Sequence, residues 1–326
     1  MTILRVKNLS VNYKVDAGTV EAINKVSFDL DKGQTLAIVG ESGCGKSTTA
    51  HAMMKLISKP GVISEGSIEL EGVDFVKASE KKMSKIRGKD IAMIFQEPMT
   101  SLNPVYKVGE QIAEAIRIHS NLSKREALAK AIKVMDQVGI SNPASRSKQY
   151  PHQMSGGMRQ RAMIAMALSC NPKLLIADEP TTALDVTIQA QILRLIKNLQ
   201  KELNTAVLFI THDLGVVAEV ADKVAVMYSG KIVEIGSVID IFYNPKHPYT
   251  IGLIKSVPDV KRRMGRLVQI KGSVPTLKNM PKGCKFAPRC EYATERCQNE
   301  EPILQRFNNQ EVACFHTENL IKEVAK

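Results

Sequence analysis

The sequence predicts an α/β protein built on a parallel sheet that binds a phosphate-bearing ligand. Two short apolar runs, residues 35–39 and 174–177, have the composition of buried strands. The first is followed by a glycine-rich loop and a helical pattern, and the second ends in two acidic residues. Ligands of open parallel sheets bind outside the carboxyl ends of the strands, where both features lie. The length of 326 residues allows about two domains.

The glycine-rich loop carries the first chemical signal. Residues 40–47 (GESGCGKS) fit G-x-x-x-x-G-K-[ST] between a strand and a helix, the context that this phosphate-binding motif requires. Its glycines let successive backbone N–H groups face one point, where the helix N-terminus adds partial positive charge. We expect Lys46 to reach the β- and γ-phosphates and the Ser47 hydroxyl to bind Mg²⁺. The residues expected to contact the nucleotide are Ser42, Gly43, Cys44, Gly45, Lys46, Ser47 and Thr48.

The cysteine of this loop is expected to be reactive. Cys44 lies in an anion-binding loop at a helix N-terminus, where the thiolate is favoured and the thiol pKa falls. The sequence therefore predicts inactivation by thiol reagents and protection by ATP. The simpler interpretation is that Cys44 is a small residue that fits the loop.

The second apolar run supplies an acidic partner for the phosphate loop. In KLLIADEP, Asp178 and Glu179 lie at the carboxyl end of the predicted strand 174–177. We expect Asp178 to hold Mg²⁺, through water, and Glu179 to polarise the attacking water next to the γ-phosphate. The alternative, that the two acids merely end the strand, is weakened by the apolar run before them.

A pair of glycines opens a helix just ahead of the acidic strand. Ser155, Gly156 and Gly157 precede apolar residues spaced three and four apart, as in an amphipathic helix. Two glycines at a helix start are costly unless a ligand must approach the backbone closely. A phosphate group is the obvious candidate.

These motifs, in this order, resemble the ATP-binding cassette (ABC) family over residues 1 to about 255. The segment MSGGM is similar to the family signature, commonly LSGGQ, from which Met154 and Met158 depart. The resemblance implies an ABC nucleotide-binding domain with a RecA-like α/β core, an antiparallel β subdomain and a helical subdomain at about 97–170. Four further positions match the adenine-stacking aromatic, the glutamine loop that touches Mg²⁺, the loop that faces the second cassette and the switch histidine: Tyr13, Gln96, Asp185 and His212.

The resemblance also implies how ATP is hydrolysed. Two cassettes close head to tail around two ATP molecules, and Glu179, His212, Lys46 and Gln96 are the expected catalytic residues. Each site then combines residues of one chain with the signature of the other, here Ser155, Gly156 and Gly157. Because this chain has every catalytic part, a homodimer is chemically possible. The subgroup named below commonly pairs two different ATPases, so a heterodimer is favoured.

The middle and the end of the chain narrow the resemblance. Ser123 and Glu126 form a capping box before a helix that ends at Gly139. SLNP after the glutamine loop, with NPKHPYT and GSVPTL later, resembles the oligopeptide, dipeptide and nickel importer subgroup. From about residue 257 the chain becomes basic and rich in Pro and Gly. The sequence therefore predicts a cassette over 1–256 and a C-terminal extension over 257–326.

Four of the six cysteines lie in this extension. The spacing of Cys284, Cys290, Cys297 and Cys314 has no tight C-x2–4-C pair, which structural zinc usually uses. Wider spacings suit a [4Fe–4S] cubane, and ATPases of the resembled subgroup carry a similar cysteine set with such a cluster. His316 keeps a zinc site open, and free thiols are the third possibility. The extension is expected to be a small metal-binding module.

Composition limits the remaining choices. No apolar run approaches the ~18 residues that cross a bilayer, and the start lacks the pattern of a secretory signal. We expect a peripheral protein at the cytoplasmic face of the membrane, with two transmembrane permease subunits and an extracytoplasmic substrate-binding protein. The net charge of +12 suits nucleic acid, but the chain has one cassette and none of the long insertions of cassette proteins that act there.

The sequence therefore predicts the ATPase subunit of an ABC importer for di- or oligopeptides. Its cofactors would be ATP, Mg²⁺ and a [4Fe–4S] cluster, with Zn²⁺ as the alternative metal. Nickel import and a soluble ABC ATPase acting on nucleic acid are the alternative functions. A binding module without catalysis is opposed by the presence of Glu179 and His212.

Overall fold

A computed structural model of the chain describes residues 1–16, 18–96, 101–182, 184–256, 269–275 and 280–318. The chain forms two compact units. The first contains Met1–Leu4, Leu30–Gln34 and Val73–Ile210, and the second contains Arg5–Asp29, Thr35–Gly72 and Thr211–Lys326. The glycine-rich loop therefore belongs to the second unit and the acidic strand to the first.

The secondary structure alternates strands and helices through most of the chain. In chain order the strands of the described residues are β1 (Thr2–Val15), β2 (Gly18–Asp31), β3 (Thr35–Val39), β4 (Gly61–Leu70), β5 (Val73–Asp74), β6 (Ile91–Ile94), β7 (Leu174–Asp178), β8 (Ala206–Thr211), β9 (Lys223–Tyr228), β10 (Lys231–Ser237), β11 (Gln305–Phe307) and β12 (Gln310–Val312).

The helices of the same residues are α1 (Lys46–Met53), α2 (Glu80–Ile86), α3 (Val108–Ile118), α4 (Lys124–Gln137), α5 (Pro143–Arg146), α6 (Gly156–Leu168), α7 (Val186–Leu203), α8 (Leu214–Val220), α9 (Val238–Tyr243), α10 (Pro248–Lys255) and α11 (Glu295–Asn299). Short 3₁₀ turns lie at Pro151–Gln153 and Ala287–Arg289.

The first unit holds the parallel strands β6, β7 and β8. Strand β7 is the middle strand, with Ile91 opposite Leu174 on one side and Leu174 opposite Ala206 on the other. Every residue of β7 is buried, as in a parallel strand covered on both faces. Helices α3, α4 and α6 of this unit pack against one another.

The second unit contains two groups of strands. Strands β2, β1 and β4 are neighbours in one sheet, and β11, β12, β10, β9 and β3 follow one another in a second. Strand β3 runs parallel to β9, whereas β9, β10 and β12 pair antiparallel. The fully buried β3 delivers the chain to the glycine-rich loop, which leads directly into α1.

The C-terminal extension contributes to the core of the second unit. Strand β12 pairs with β10 through Glu234 opposite Val312, so the extension lengthens the sheet. Phe286 is buried and its ring packs against Tyr228 and Tyr249, with centroids 5.2 and 5.4 Å apart. The predicted domain boundary at residue 257 lies outside the described residues.

Among the residues that the structure describes, none of the helices combines the length and the apolar character that a membrane-spanning segment needs.

Candidate nucleotide-binding site

The glycine-rich loop of the second unit is built for close backbone approach. Gly45 has a φ of 105°, in the left-handed region, and a Cβ there would lie 2.8 Å from the Met227 Cε. At Gly40 a Cβ would lie 2.1 Å from the Met227 carbonyl oxygen. A side chain at Gly40 would therefore collide with the backbone of β9, and one at Gly45 would be strained by the positive φ, so both glycines are needed for the path of the loop.

The predicted phosphate-binding lysine lies against this loop. The Lys46 side chain is buried, and its ammonium donates to the carbonyl oxygens of Gly40 at 2.8 Å and Glu41 at 3.1 Å. Lys46 begins α1, so the positive end of the helix adds to its charge. Ser42 and Gly43 are exposed at the tip of the loop, and Ser47 and Thr48 are half-buried in the first turn of α1.

The predicted reactivity of Cys44 is wrong. Cys44 is only 1% exposed, and its burial raises the thiol pKa, although the nearby Lys46 partly offsets the rise. The helix terminus and the ammonium favour a thiolate, but removing the sulfur from water disfavours it more. Cys44 is therefore a small buried side chain of the loop.

Asp178 and Glu179 lie at the carboxyl end of the acidic strand in the first unit. Asp178 is the last residue of β7 and is 2% exposed. The Glu179 amide donates to the Ile210 carbonyl at 2.9 Å, and its carboxylate accepts from Gln96 Nε2 at 3.1 Å and Thr182 Oγ1 at 3.0 Å. Two predicted catalytic residues 83 positions apart are thus joined directly.

The backbone at Glu179 is strained. Its φ of 46° places a non-glycine residue in the left-handed region, at a cost of about 1–3 kcal/mol that the surrounding contacts must offset. Such strain is common at functional residues, where it fixes the direction of a side chain. The sequence pattern locates Glu179 but gives no sign of this conformation.

The serine and glycines of the signature form the N-terminus of α6 in the first unit. The Ser155 hydroxyl caps the helix by accepting from the Met158 amide at 3.3 Å. A Cβ at Gly156 would meet no atom within 4 Å, whereas one at Gly157 would lie 3.2 Å from the Ile188 Cγ2. Gly156 therefore faces open space, which leaves its backbone accessible to a ligand.

Two other predicted residues lie in the second unit. The ring of Tyr13, on β1, lies against Gly61 and is half-buried. His212 directly follows β8 and is exposed. The second unit thus holds the predicted site residues Ser47, Lys46, Tyr13 and His212. The first unit holds Gln96, Asp178, Glu179 and the Ser155–Gly157 segment.

Sequence reasoning missed Gln160. Its side chain is buried on α6 and donates to the Pro180 carbonyl, just beyond Glu179. This hydrogen bond ties the signature helix to the end of the acidic strand inside the first unit. The polar residue on the apolar face of α6 was the only signal in the sequence.

The four cysteines of the extension surround one small cavity. Cys284, Cys290, Cys297 and Cys314 line a space of about 10 Å³ together with His316. Burial raises the pKa of Cys290 to about 11 and that of Cys314 to about 12. The imidazole Nε2 of His316 lies 3.4 Å from the Cys297 sulfur.

This arrangement does not support the predicted metal-binding extension. Within the described parts of the chain, no three His, Cys, Asp or Glu side chains are placed to hold a metal ion. The chain folding gathers the predicted ligands, but their sulfur atoms do not adopt the geometry of a metal site. An iron–sulfur or zinc site therefore stays a prediction.

Comparison with known proteins decides the family. Residues 23–182 match the ABC transporter family, and residues 233–297 match the C-terminal region of oligopeptide/dipeptide transporters. The oligopeptide transport ATP-binding protein OppD of Bacillus subtilis (strain 168) is 57% identical over 309 residues, which cover 94% of this chain and 86% of that protein. The chain belongs to the ABC transporter family.

A second relative supports the same group of ABC proteins. The dipeptide transport ATP-binding protein DppD of Lactococcus lactis subsp. cremoris (strain MG1363) is 54% identical over 301 residues, covering 92% of this chain and 86% of that protein. The resemblance to the oligopeptide and dipeptide subgroup is thereby confirmed.

Solved ABC structures confirm the fold. The cassette MJ0796, in a dimeric post-hydrolysis state bound to ADP and phosphate, has a TM-score of 0.65 at 26% identity and covers 72% of this chain and 98% of its own. CbiO1 from Clostridium perfringens, part of the ABC transporter complex cbiONQ, has a TM-score of 0.63 at 29% identity and covers 74% of this chain and 91% of its own. The predicted ABC nucleotide-binding α/β domain is therefore confirmed.

Proposed function

We propose that this chain is the ATP-hydrolysing subunit that energises an ABC importer for di- or oligopeptides. The observation that carries the catalytic part is the hydrogen bond between Gln96 and Glu179 at the end of β7. It holds the predicted general base in one direction. The peptide cargo is supported by the match of residues 233–297 and by the names of the relatives, which are peptide transporters rather than nickel or nucleic-acid proteins.

The residues of this chain divide the chemistry among them. The amides of the loop from Ser42 to Thr48 and the Lys46 ammonium bind the β- and γ-phosphates, and Tyr13 stacks on the adenine. Glu179 accepts a proton from the attacking water, and His212 contacts the γ-phosphate. Gln96 keeps the Glu179 carboxylate turned toward that water.

The oxygen donors of the chain fit a magnesium ion. Mg²⁺ prefers carboxylate, hydroxyl and amide oxygens, which Asp178, Ser47 and Gln96 provide, with Asp178 already buried at the strand end. When bound, the ion neutralises charge on the phosphates.

A second cassette completes each site. Two cassettes sandwich two MgATP, with Ser155, Gly156 and Gly157 of one chain closing over the nucleotide of the other. The open space beside Gly156 supports this role, because a phosphate oxygen can approach the backbone there. A heterodimer with a second ABC ATPase is favoured over a homodimer.

The assembly places the chain at a membrane without inserting it. Two transmembrane permease subunits bind the helical subdomain, about residues 97–170, and an extracytoplasmic substrate-binding protein delivers the peptide. The chain then acts as a peripheral subunit at the cytoplasmic face of the cell membrane. Nucleic acid is not a partner in this proposal.

The Glu179→Gln variant tests the catalytic assignment. It keeps the size and one oxygen of the side chain but cannot accept a proton, so ATP binding should persist while turnover falls about 10²–10⁴-fold. Steady-state phosphate release and ATP affinity are measured on the full chain, and size-exclusion chromatography with ATP should show a trapped dimer. Glu202→Gln, an exposed change on α7, is the matched control. A Glu179→Gln rate near that of the control would refute the assignment.

For the C-terminal extension, residues 257–326, the [4Fe–4S] cluster is proposed on the spacing of its four cysteines. Its role would be structural or in docking to a membrane partner, because the proposed catalytic set is complete without it. Zn²⁺ bound by cysteines and His316 is the alternative.

Purification without air distinguishes these metals. Protein with the cluster should be brown, contain iron and sulfide and bleach on oxidation. Replacing any one of Cys284, Cys290, Cys297 or Cys314 with Ser should remove the colour and loosen the C-terminal region, whereas Cys170→Ser, outside the cavity, should change neither. Colourless protein with stoichiometric zinc would overturn the cluster, and intact folding in all four variants would overturn the structural role.

A further inference from the structure

Arg289 of the C-terminal extension reaches the phosphate loop. Its guanidinium donates to both carboxylate oxygens of Glu41, at 2.7 and 3.0 Å, although the two residues are 248 positions apart. Glu41 follows the first glycine of the loop. The Arg289 side chain is only 5% exposed and that of Glu41 is 27% exposed, so this is a partly buried, bidentate ion pair.

The surroundings of Arg289 hold its guanidinium in a single place. It donates to the Lys271 carbonyl at 3.0 Å and to the Tyr228 hydroxyl at 3.3 Å. It also lies near the rings of Tyr228 and Phe286, at 5.8 and 5.9 Å from their centroids. The planar fork of arginine can make all these contacts together, which a lysine ammonium cannot.

Glu41 connects Arg289 to the backbone of the phosphate loop. Its amide donates to the Tyr249 hydroxyl at 2.9 Å, and its carbonyl accepts from the Lys46 ammonium at 3.1 Å and from the Cys44 amide at 3.3 Å. The side chain, the backbone amide and the backbone carbonyl of Glu41 thus all have hydrogen-bond partners. A shift of the Glu41 backbone would therefore move the carbonyl against which the phosphate-binding lysine lies.

We infer that Arg289 is a positioning residue for the phosphate loop, through which the C-terminal extension sets the affinity of the cassette for nucleotide. The inference rests on the nucleotide site proposed above. Without the guanidinium, the Glu41 carboxylate would be left charged, partly buried and without its main partner, and would turn toward water with its backbone. Because coupling between two sites is reciprocal, nucleotide at the loop in turn tightens the packing of the extension.

The experiment measures MgATP binding to the full-length chain by isothermal titration calorimetry. Arg289→Met should raise the Kd for MgATP about tenfold, within the roughly 5- to 150-fold range usual for coupled sites. Arg289→Lys, which keeps the charge but loses the fork, should give a smaller increase. Arg296→Ala is the matched control, because Arg296 lies in the same extension and pairs with Glu300 at the surface. Its Kd should equal that of the wild type.

A double variant separates positioning from simple stabilisation. Arg289→Met combined with Glu41→Gln leaves no lone, partly buried charge, so its thermal stability should return toward that of the wild type. Its Kd for MgATP should nevertheless stay as high as that of Arg289→Met alone, because the loop is still unanchored. In steady-state hydrolysis the KM for ATP should rise in both variants while kcat changes less than about twofold.

Each outcome decides a separate question. If the wild type does not bind MgATP, the proposed nucleotide site fails. If the wild type binds but folded Arg289→Met has the Kd of the Arg296→Ala control, the positioning role is refuted. The positioning role is also refuted if the double variant regains its affinity for MgATP together with its thermal stability, because Arg289 would then only stabilise the fold. Should Arg289→Met not fold, Arg289→Lys and the double variant decide the question by the same measurements.

Discussion

At the scale of single residues, Glu179 is held by contacts between distant segments of the first unit. Its φ lies in the left-handed region, and its carboxylate accepts a hydrogen bond from Gln96. Hydrogen bonds offset the strain at Glu179. Its backbone amide donates to the Ile210 carbonyl, and its carboxylate accepts from Gln96 and Thr182. The proposed general base is therefore held in place before substrate binds.

Cys44 shows how a correct local rule can be outweighed. The phosphate loop, the helix N-terminus and Lys46 all favour the thiolate, as the motif suggests. The sulfur is nevertheless buried beside Gly40, and the loss of hydration dominates its pKa. Burial at a single loop position depends on the strand behind it, so the charges near Cys44 can be predicted from the motif but the cost of burying its thiolate cannot.

At the scale of elements, substitutions at the start of α6 test why this helix begins with two glycines. Gly156→Ala adds a methyl group that meets no atom within 4 Å, and alanine favours a helix over glycine by up to about 1 kcal/mol. The fold should keep or slightly gain thermal stability. The ATPase rate should fall about 10²-fold, as when a donor to developing charge is lost, because the methyl occupies the approach of the phosphate.

Gly157→Ala provides the comparison for this prediction. Its methyl would lie 3.2 Å from Ile188 and should lower thermal stability as well as activity. Calorimetric melting and phosphate release on the two variants distinguish a position kept open for a ligand from one kept small for packing. A Gly156→Ala variant with the ATPase rate of the wild type would contradict the proposed role.

Elements with strong local signals could be predicted closely. Strand β3 has the predicted bounds, β7 extends one residue further to Asp178, and the capping box of Ser123 and Glu126 is present at α4. These features depend on neighbouring residues. The pairing of β12 with β10 could not be predicted, because an added edge strand of three residues leaves no periodic pattern.

Distant contacts explain what was missed at the site. The hydrogen bond from Gln160 to Pro180 joins residues 20 positions apart, and the one from Arg289 to Glu41 joins residues 248 positions apart. A single sequence does not indicate which polar residue will find which partner across such distances. The cysteines illustrate the same limit, since their spacing predicted a shared location but not the geometry of their sulfur atoms.

At the scale of the whole molecule, the C-terminal extension is part of the compact unit that carries the phosphate loop. It adds β11 and β12 to the sheet, places Phe286 in the core and sends Arg289 to the phosphate loop. All of these contacts lie in the second unit, which also holds Lys46. The proposed peptide importer would thus contain a cassette whose nucleotide affinity depends on its own C-terminal segment.

Transport itself tests the central claim most directly. The membrane complex that co-purifies with this chain is reconstituted in vesicles with MgATP on the side of the ATPase subunits, and uptake of a labelled tripeptide and of nickel ions is followed. Peptide uptake should need ATP and the substrate-binding protein, should be abolished by Glu179→Gln and should be unaffected by Glu202→Gln. Nickel uptake with no peptide uptake, or peptide uptake that survives Glu179→Gln, would contradict the proposed function.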